Sequence, residues 1–159
     1  MHGMAVACLR RSRRGNVKGE RLKVKGKPKY KIFIPGREYM SYQTFEDLAV
    51  WKKSARLSSE IYKELLDLRD FGFKDQITRS GLSIPSNIAE GFERKSQKEF
   101  LNFLSYAKGS CGELRTQIYI GIDIGYIDRE TGAKWIEEAR QLSMMLSGLM
   151  KKKRDHIGT

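Results

Sequence analysis

The sequence predicts an all-α protein: an antiparallel up-down four-helix bundle behind a disordered basic N-terminal extension. Three observations carry that prediction. Apolar residues recur at the three-and-four spacing of a helical face through four long stretches after Met40. Short segments with cap and stop residues separate those stretches, which favours antiparallel neighbours. The charge is uneven: residues 1–40 hold 12 Lys or Arg against two acids, whereas the remaining 119 hold 19 against 17, so nearly all of the net +12 lies in the extension. With 159 residues and 40% hydrophobic content, the chain suits one packed domain. The expected organisation is the extension at 1–40, the bundle at 41–151 and a basic C-terminal tail at 152–159.

The extension reads Arg10-Arg-Ser-Arg-Arg-Gly15 followed by lysines alternating with apolar residues. Leu22, Val24, Ile32 and Ile34 suit a short hairpin, but two isolated strands are marginal in water, so coil is expected. Two readings of residues 1–39 stay open, a translated disordered tail and an upstream-start artefact ahead of Met40. Helix one should start near Thr44, where Thr44 and Asp47 offer a cap, and run to about Arg69. Its main apolar stripe is Leu48, Trp51, Ala55, Tyr62 and Leu65, broadened by Leu57, Ile61 and Leu68. Asp70-Phe-Gly72 matches the magnesium-binding tripeptide of protein kinases, yet no glycine-rich loop or catalytic-loop motif accompanies it, so it reads as a connection.

Helix two should span about Phe73 to Arg94 and holds the most distinctive segment, Gln76-Ile-Thr-Arg-Ser-Gly-Leu-Ser-Ile-Pro-Ser-Asn-Ile-Ala-Glu-Gly91. Ile77, Gly81, Ile84 and Ile88 keep the helical period across Pro85. The proline ring crowds the carbonyl four residues back, where Gly81 adds no side chain, and Ser83, Ser86 and Asn87 can bond the backbone around the break. The small residues Ser80, Gly81, Ser83, Ser86 and Ala89 suit a central helix. Ser96-Gln-Lys-Glu99 reads as a capping box opening helix three, whose core face is Phe100, Phe103, Leu104, Ala107, Cys111, Leu114, Ile118 and Ile122, with a stop near Gly125. Helix four should follow Asp128 and bury Trp135, Ala139, Leu142, Leu146 and Leu149.

Three of these segments carry a resemblance. Gln76 to Gly91, Thr44-Phe-Glu-Asp-Leu-Ala-Val-Trp-Lys-Lys-Ser-Ala55 and Glu99-Phe-Leu-Asn-Phe-Leu-Ser-Tyr-Ala-Lys-Gly-Ser-Cys-Gly-Glu-Leu114 occur in the order found in proteins encoded in intervening sequences of bacterial 23S rRNA genes, and the similarity runs from about Tyr42 to Met150. That family is similar to the accessory proteins of diversity-generating retroelements. The resemblance therefore implies a four-helix bundle, a homopentamer with a central channel, and nucleic-acid binding.

The residues themselves offer little catalytic chemistry. His2 and His156 sit at the chain ends, Cys8 and Cys111 lack metal-ligand spacing, and there is no Walker loop, dinucleotide fingerprint or Glu-x-x-His pair. No enzyme activity, metal, cofactor or small-molecule substrate is expected. No run approaches the roughly 18 apolar residues of a membrane span, and a cytoplasmic, membrane-free chain is expected. The expected function is non-catalytic nucleic-acid binding, to RNA in the first place and DNA in the second. The alternative is an oligomeric protein-interaction scaffold docking an acidic partner such as a reverse transcriptase or ribosomal factor.

Candidate nucleic-acid contacts are Lys52, Lys53 and Arg56, then Arg79, then Arg94, Lys95 and Lys98 around the start of helix three, where free backbone donors favour an anion. Lys151 to Arg154 suit the macrodipole of a last helical turn. Tyr106, Tyr119, Tyr126 and Phe92 offer stacking surfaces. Gln76, Arg79, Ser83, Asn87 and Glu90 share one stripe of helix two and read either as an RNA contact, with Glu90 orienting Arg79, or as a network satisfying the proline break. Gly81, Pro85, Ser86 and Gly91 complete the structural signature.

Overall fold

A computed structural model describes residues 44–155; the basic extension, with the Leu22 to Ile34 segment weighed as a hairpin, Cys8, His2 and His156 lie outside the described residues. Four helices follow one another: α1 (Ala49–Glu64), α2 (Phe71–Glu93), α3 (Gln97–Asp123) and α4 (Arg129–Asp155). Each packs on the next, and α4 returns to α1. Partner numbers fall along one helix as they rise along its neighbour: Lys53 meets Gln141 and Arg56 meets Glu138, while Ser80 meets Gln117 and Ser83 meets Ser110. That register makes the bundle up-down and antiparallel, as the sequence predicts. The four apolar stripes meet in a core of Leu57, Ile61, Ile77, Ile84, Ile88, Leu104, Ala107, Cys111, Leu114, Ile118, Leu142 and Leu146.

The ends differ from the sequence expectations in instructive ways. Thr44 and Asp47 do interact, the Thr44 N–H donating to Asp47 Oδ2 at 3.2 Å, but they close a 3₁₀ turn, and α1 proper starts five residues later. It also stops at Glu64 rather than near Arg69. Asp70, placed in a connection by the sequence, is an N-cap: its Oδ1 accepts the Phe73 N–H at 3.0 Å, so α2 starts at Phe71. Ser96 keeps the extended backbone of an N-cap (φ −94°, ψ 127°), yet its side chain makes no cap hydrogen bond, so the expected capping box does not form. Gly125 ends α3 with φ +77°, a left-handed conformation that suits glycine. Asp128 Oδ2 then accepts from the Glu130 and Thr131 N–H groups and opens α4. This last helix continues through Lys152, Lys153 and Arg154 to Asp155, four residues into the segment that the sequence places in a tail.

The face of α1 is the main correction. Leu48 and Leu65 are buried, but Trp51 and Ala55 are only half-buried and Tyr62 is 43% exposed. Val50, Ser54, Leu57, Ser58 and Ile61 fill the seam instead. The reason is distance between backbones. A Cβ built on Gly81 of α2 would lie 3.9 Å from Ser58 Cα, which leaves room for serine and glycine between the helices and none for an indole or phenol ring. Similarly, Phe103, Ile122 and Leu149 are half-buried at the core edge, while Ile127 and Met150, which the sequence reading left out, are buried.

Pro85 is accommodated inside α2. Ser86 Oγ donates to the Leu82 carbonyl at 2.9 Å and Asn87 Nδ2 donates to the Ser83 carbonyl at 2.8 Å, covering carbonyls beside the break.

Cys111 is fully buried in the core, and burial pushes its thiol from an ordinary 9.0 up to about 12. Tyr126 donates its hydroxyl to Asp70 Oδ2 at 3.1 Å, and that bond also raises its pKa. Both groups hold their proton more tightly folded than unfolded. Stability from them is therefore complete below the unfolded pKa and lost as pH rises through the folded one. Chemical denaturation across pH should show constant stability near neutrality and a decline starting near pH 9, as the Cys111 value implies. Cys111→Ala should remove part of that decline; an unchanged alkaline limb contradicts the assignment.

Candidate nucleic-acid interface

The cations named by the sequence fall into three different situations. Arg56 is taken up structurally: it donates to Glu60 Oε1 at 2.5 Å and to Glu138 Oε2, and Glu138 is buried. Desolvation opposes the guanidinium charge, and the two carboxylates outweigh it, so the Arg56 pKa stands above its ordinary value. Lys53 donates to Gln141 Oε1 at 2.5 Å, tying α1 to α4. Lys52, one residue earlier, is exposed.

Arg79 stands on the outer face of α2, 74% exposed, 3.5 Å from Asp75. It is not oriented by Glu90, because Glu90 pairs with Arg94 one turn further along. The expected stripe on α2 accordingly divides. Gln76, Arg79 and Glu90 face outward, whereas Ser83 and Asn87 sit half-buried at the α2–α3 seam. There Asn87 Nδ2 donates to Ser83 Oγ at 2.9 Å, and Ser83 Oγ lies 2.9 Å from Ser110 Oγ. Next to them Ser80 bonds Gln117.

At the turn between α2 and α3, Arg94 lies over the Phe103 ring with Cζ 5.1 Å from its centroid. Lys95 and Lys98 are exposed and contact no carboxylate among the described residues. Antiparallel packing brings the end of α4 to the same place, with Lys153 Nζ 5.7 Å from the Phe100 ring centroid. One end of the bundle therefore gathers Arg94, Lys95 and Lys98 with the Lys151 to Arg154 run, which are more than 50 residues apart in sequence. Lys52 and Lys53, in the first turns of α1, lie toward this end too. Carboxylates at Glu90, Glu93 and Glu99 are interleaved with the first group, so it is the α4 run that makes the end basic. The first turn of α3 lies here with no side-chain cap on its backbone donors.

Grooves run along two of the helix pairs. The first, of about 550 Å³, runs between α1 and α2 and is apolar, lined by Trp51, Tyr62, Leu82, Pro85 and Ala89. It explains where the apolar residues displaced from the α1 core face went. The second, of about 530 Å³, runs between α3 and α4 and carries Lys108, Arg115 and Arg140. Sequence reading missed this second group, although the spacing of Lys108, Arg115 and Tyr119 by seven and four residues places them on one helical face. Of the proposed stacking residues, Tyr106, Tyr119 and Tyr126 are exposed; Phe92 packs edge-on against Phe100.

Among the described residues no group of three His, Cys, Asp or Glu side chains is placed to hold a metal ion, and no helix is long and apolar enough to cross a membrane.

Comparison with known proteins agrees with this architecture. A protein of unknown function from the S23 ribosomal protein family of Bacteroides thetaiotaomicron, with a solved crystal structure, is 29% identical and superposes with a TM-score of 0.61, covering 64% of this chain and 98% of its own. No curated protein matches. The family model for 23S rRNA-intervening sequence proteins matches residues 46–148, which take in α1 to α3 and most of α4, and the chain belongs to that family.

Proposed function

We propose that the bundle binds nucleic acid, RNA first, through its basic end, and that it does so without catalysis. The observation that carries this reading is the convergence of Lys95 and Lys98 with the Lys151 to Arg154 run around the start of α3. Ser96 makes no side-chain cap bond to the first N–H groups of α3, which leaves the free donors of a helix start for another acceptor. A phosphate there meets positive side chains, unpaired amide donors and the positive end of a 27-residue helix dipole together. The family's link to an rRNA gene supports RNA as the partner.

The test is binding of the full chain to structured RNA, single-stranded RNA and duplex DNA over a salt series. Phosphate binding weakens linearly on a log-log plot as counterions are released. The triple charge reversal Arg94→Glu, Lys95→Glu, Lys98→Glu should weaken binding and flatten the salt dependence. Unchanged affinity refutes this placement.

A second reading is favoured by the apolar α1–α2 groove. Trp51, Tyr62 and Leu82 form a surface that a second copy can cover, giving a homo-oligomer, a pentamer on the retroelement resemblance, whose basic face docks an acidic protein partner. Such a scaffold keeps its partner in salt through apolar contacts. A monomer by light scattering at micromolar concentration contradicts it.

A further inference from the structure

We infer that the α3–α4 groove is a phosphate track for a single-stranded RNA, continuous with the basic end of the bundle; this rests on the nucleic-acid reading above. Arg115 supplies the first reason. Its Nε is buried and has no acceptor in the structure, and no carboxylate lies within ion-pair distance of its guanidinium among the described residues. A buried donor without a partner is unusual in a folded protein, and a half-buried cation with no counter-charge is favourable when an anion is bound beside it.

The surroundings supply the second. Lys108 lines the same groove two turns earlier on α3, about 10 Å away along the helix at 1.5 Å per residue. Arg140 lines it from α4. The one carboxylate present is already occupied: Glu137 accepts from Gln141 at 3.1 Å and lies 3.9 Å from Arg140. Three cations against one engaged acid leave the groove positive.

Geometry then gives the track a direction. On α4, Arg140, Met144, Ser147 and Lys151 follow one another at intervals of four, three and four, so they form one stripe leading from the groove to the Lys151 to Arg154 run. A strand bound at the basic end meets further cations if it continues along this stripe. At the far end Tyr119 is 47% exposed, and its hydroxyl accepts from Arg140 Nη2 at 3.1 Å, which holds the ring beside the cations. Met144, also exposed, lines the groove floor's rim. An aromatic ring and a thioether beside spaced cations favour stacked bases on a sugar-phosphate backbone over an acidic peptide, which has no use for a stacking surface.

The experiment uses the full chain and fluorescein-labelled single-stranded RNA read by anisotropy across salt. The triple variant Lys108→Gln, Arg115→Gln, Arg140→Gln should weaken binding by about tenfold or more. It should also flatten the log-log salt slope by about 2, since each single-strand phosphate contact contributes about 0.7. Wild-type affinity and slope in a folded triple variant overturn the track while leaving binding at the basic end intact. Absence of RNA binding by the wild-type chain overturns both. If the triple variant does not fold, photocrosslinking of wild-type protein to 4-thiouridine RNA decides the matter. Adducts on the α3 or α4 residues of the groove support the track; adducts confined to other peptides overturn it.

Discussion

Replacing Gly91 by alanine is expected to destabilise the protein by about 1–3 kcal/mol, the range typical of overpacked cores. A Cβ built there would lie 2.5 Å from Phe103 Cβ and 3.1 Å from Phe100 Cδ2. The first of these atoms is held next to the α3 backbone and cannot swing away as a side-chain tip can. The helices must separate, and the α2–α3 seam carries the Ser83–Ser110 and Ser80–Gln117 contacts, which a shift would break. Gly109→Ala and Gly148→Ala are the matched controls. Nothing lies within 4 Å of a Cβ at either site, so removing a glycine from a helix interior should stabilise by up to about 1 kcal/mol. Denaturant melts of the three variants read both signs. Equal stability for Gly91→Ala and the wild type contradicts the close approach of α2 and α3.

The second large effect separates two neighbours on α1. Ile61→Ala should cost about 2–5 kcal/mol, because the side chain is fully buried between α1 and α2 and a cavity remains. Tyr62→Ala, one residue on, should cost well under half as much, since the ring lies on the rim of the α1–α2 groove and keeps much of its surface in water. The same pair discriminates packing within the chain from contact between copies. If the groove is covered in an oligomer, Tyr62→Ala lowers the oligomer size in light scattering while the helical content of each chain is retained. A Tyr62→Ala variant that unfolds as readily as Ile61→Ala contradicts the observed face of α1.

Much of the fold was legible because its causes are local. The order of four helices follows from the three-and-four spacing of apolar residues. Asp128 and Gly125 mark boundaries because cap and left-handed positions depend on a few adjacent backbone groups. The core faces of α3 and α4 were nearly correct for the same reason, each helix having one dominant stripe.

Where a helix offered two stripes, the sequence had no means of choosing. On α1 the aromatic Trp51 and Tyr62 are the more hydrophobic candidates by size, yet the core took Leu57 and Ile61, because the selection was made by the backbone separation at Ser58 and Gly81. Capping failed in the same manner at Ser96: its side chain forms no cap bond, although the residue types match the motif.

The candidate site divides along the same line. Sequence alone determined which cations exist and which share a helical face, since 3.6 residues per turn fixes that within each helix. Only the tertiary structure decided their use. It spent Arg56 on the buried Glu138 and turned Glu90 toward Arg94 instead of Arg79. It also set the end of α4 beside the start of α3, and left Arg115 Nε without an acceptor among the described residues. Ion pairing falls off within a few ångströms, so the role of each charge depends on neighbours contributed by other helices, and those neighbours exist only once the bundle has closed.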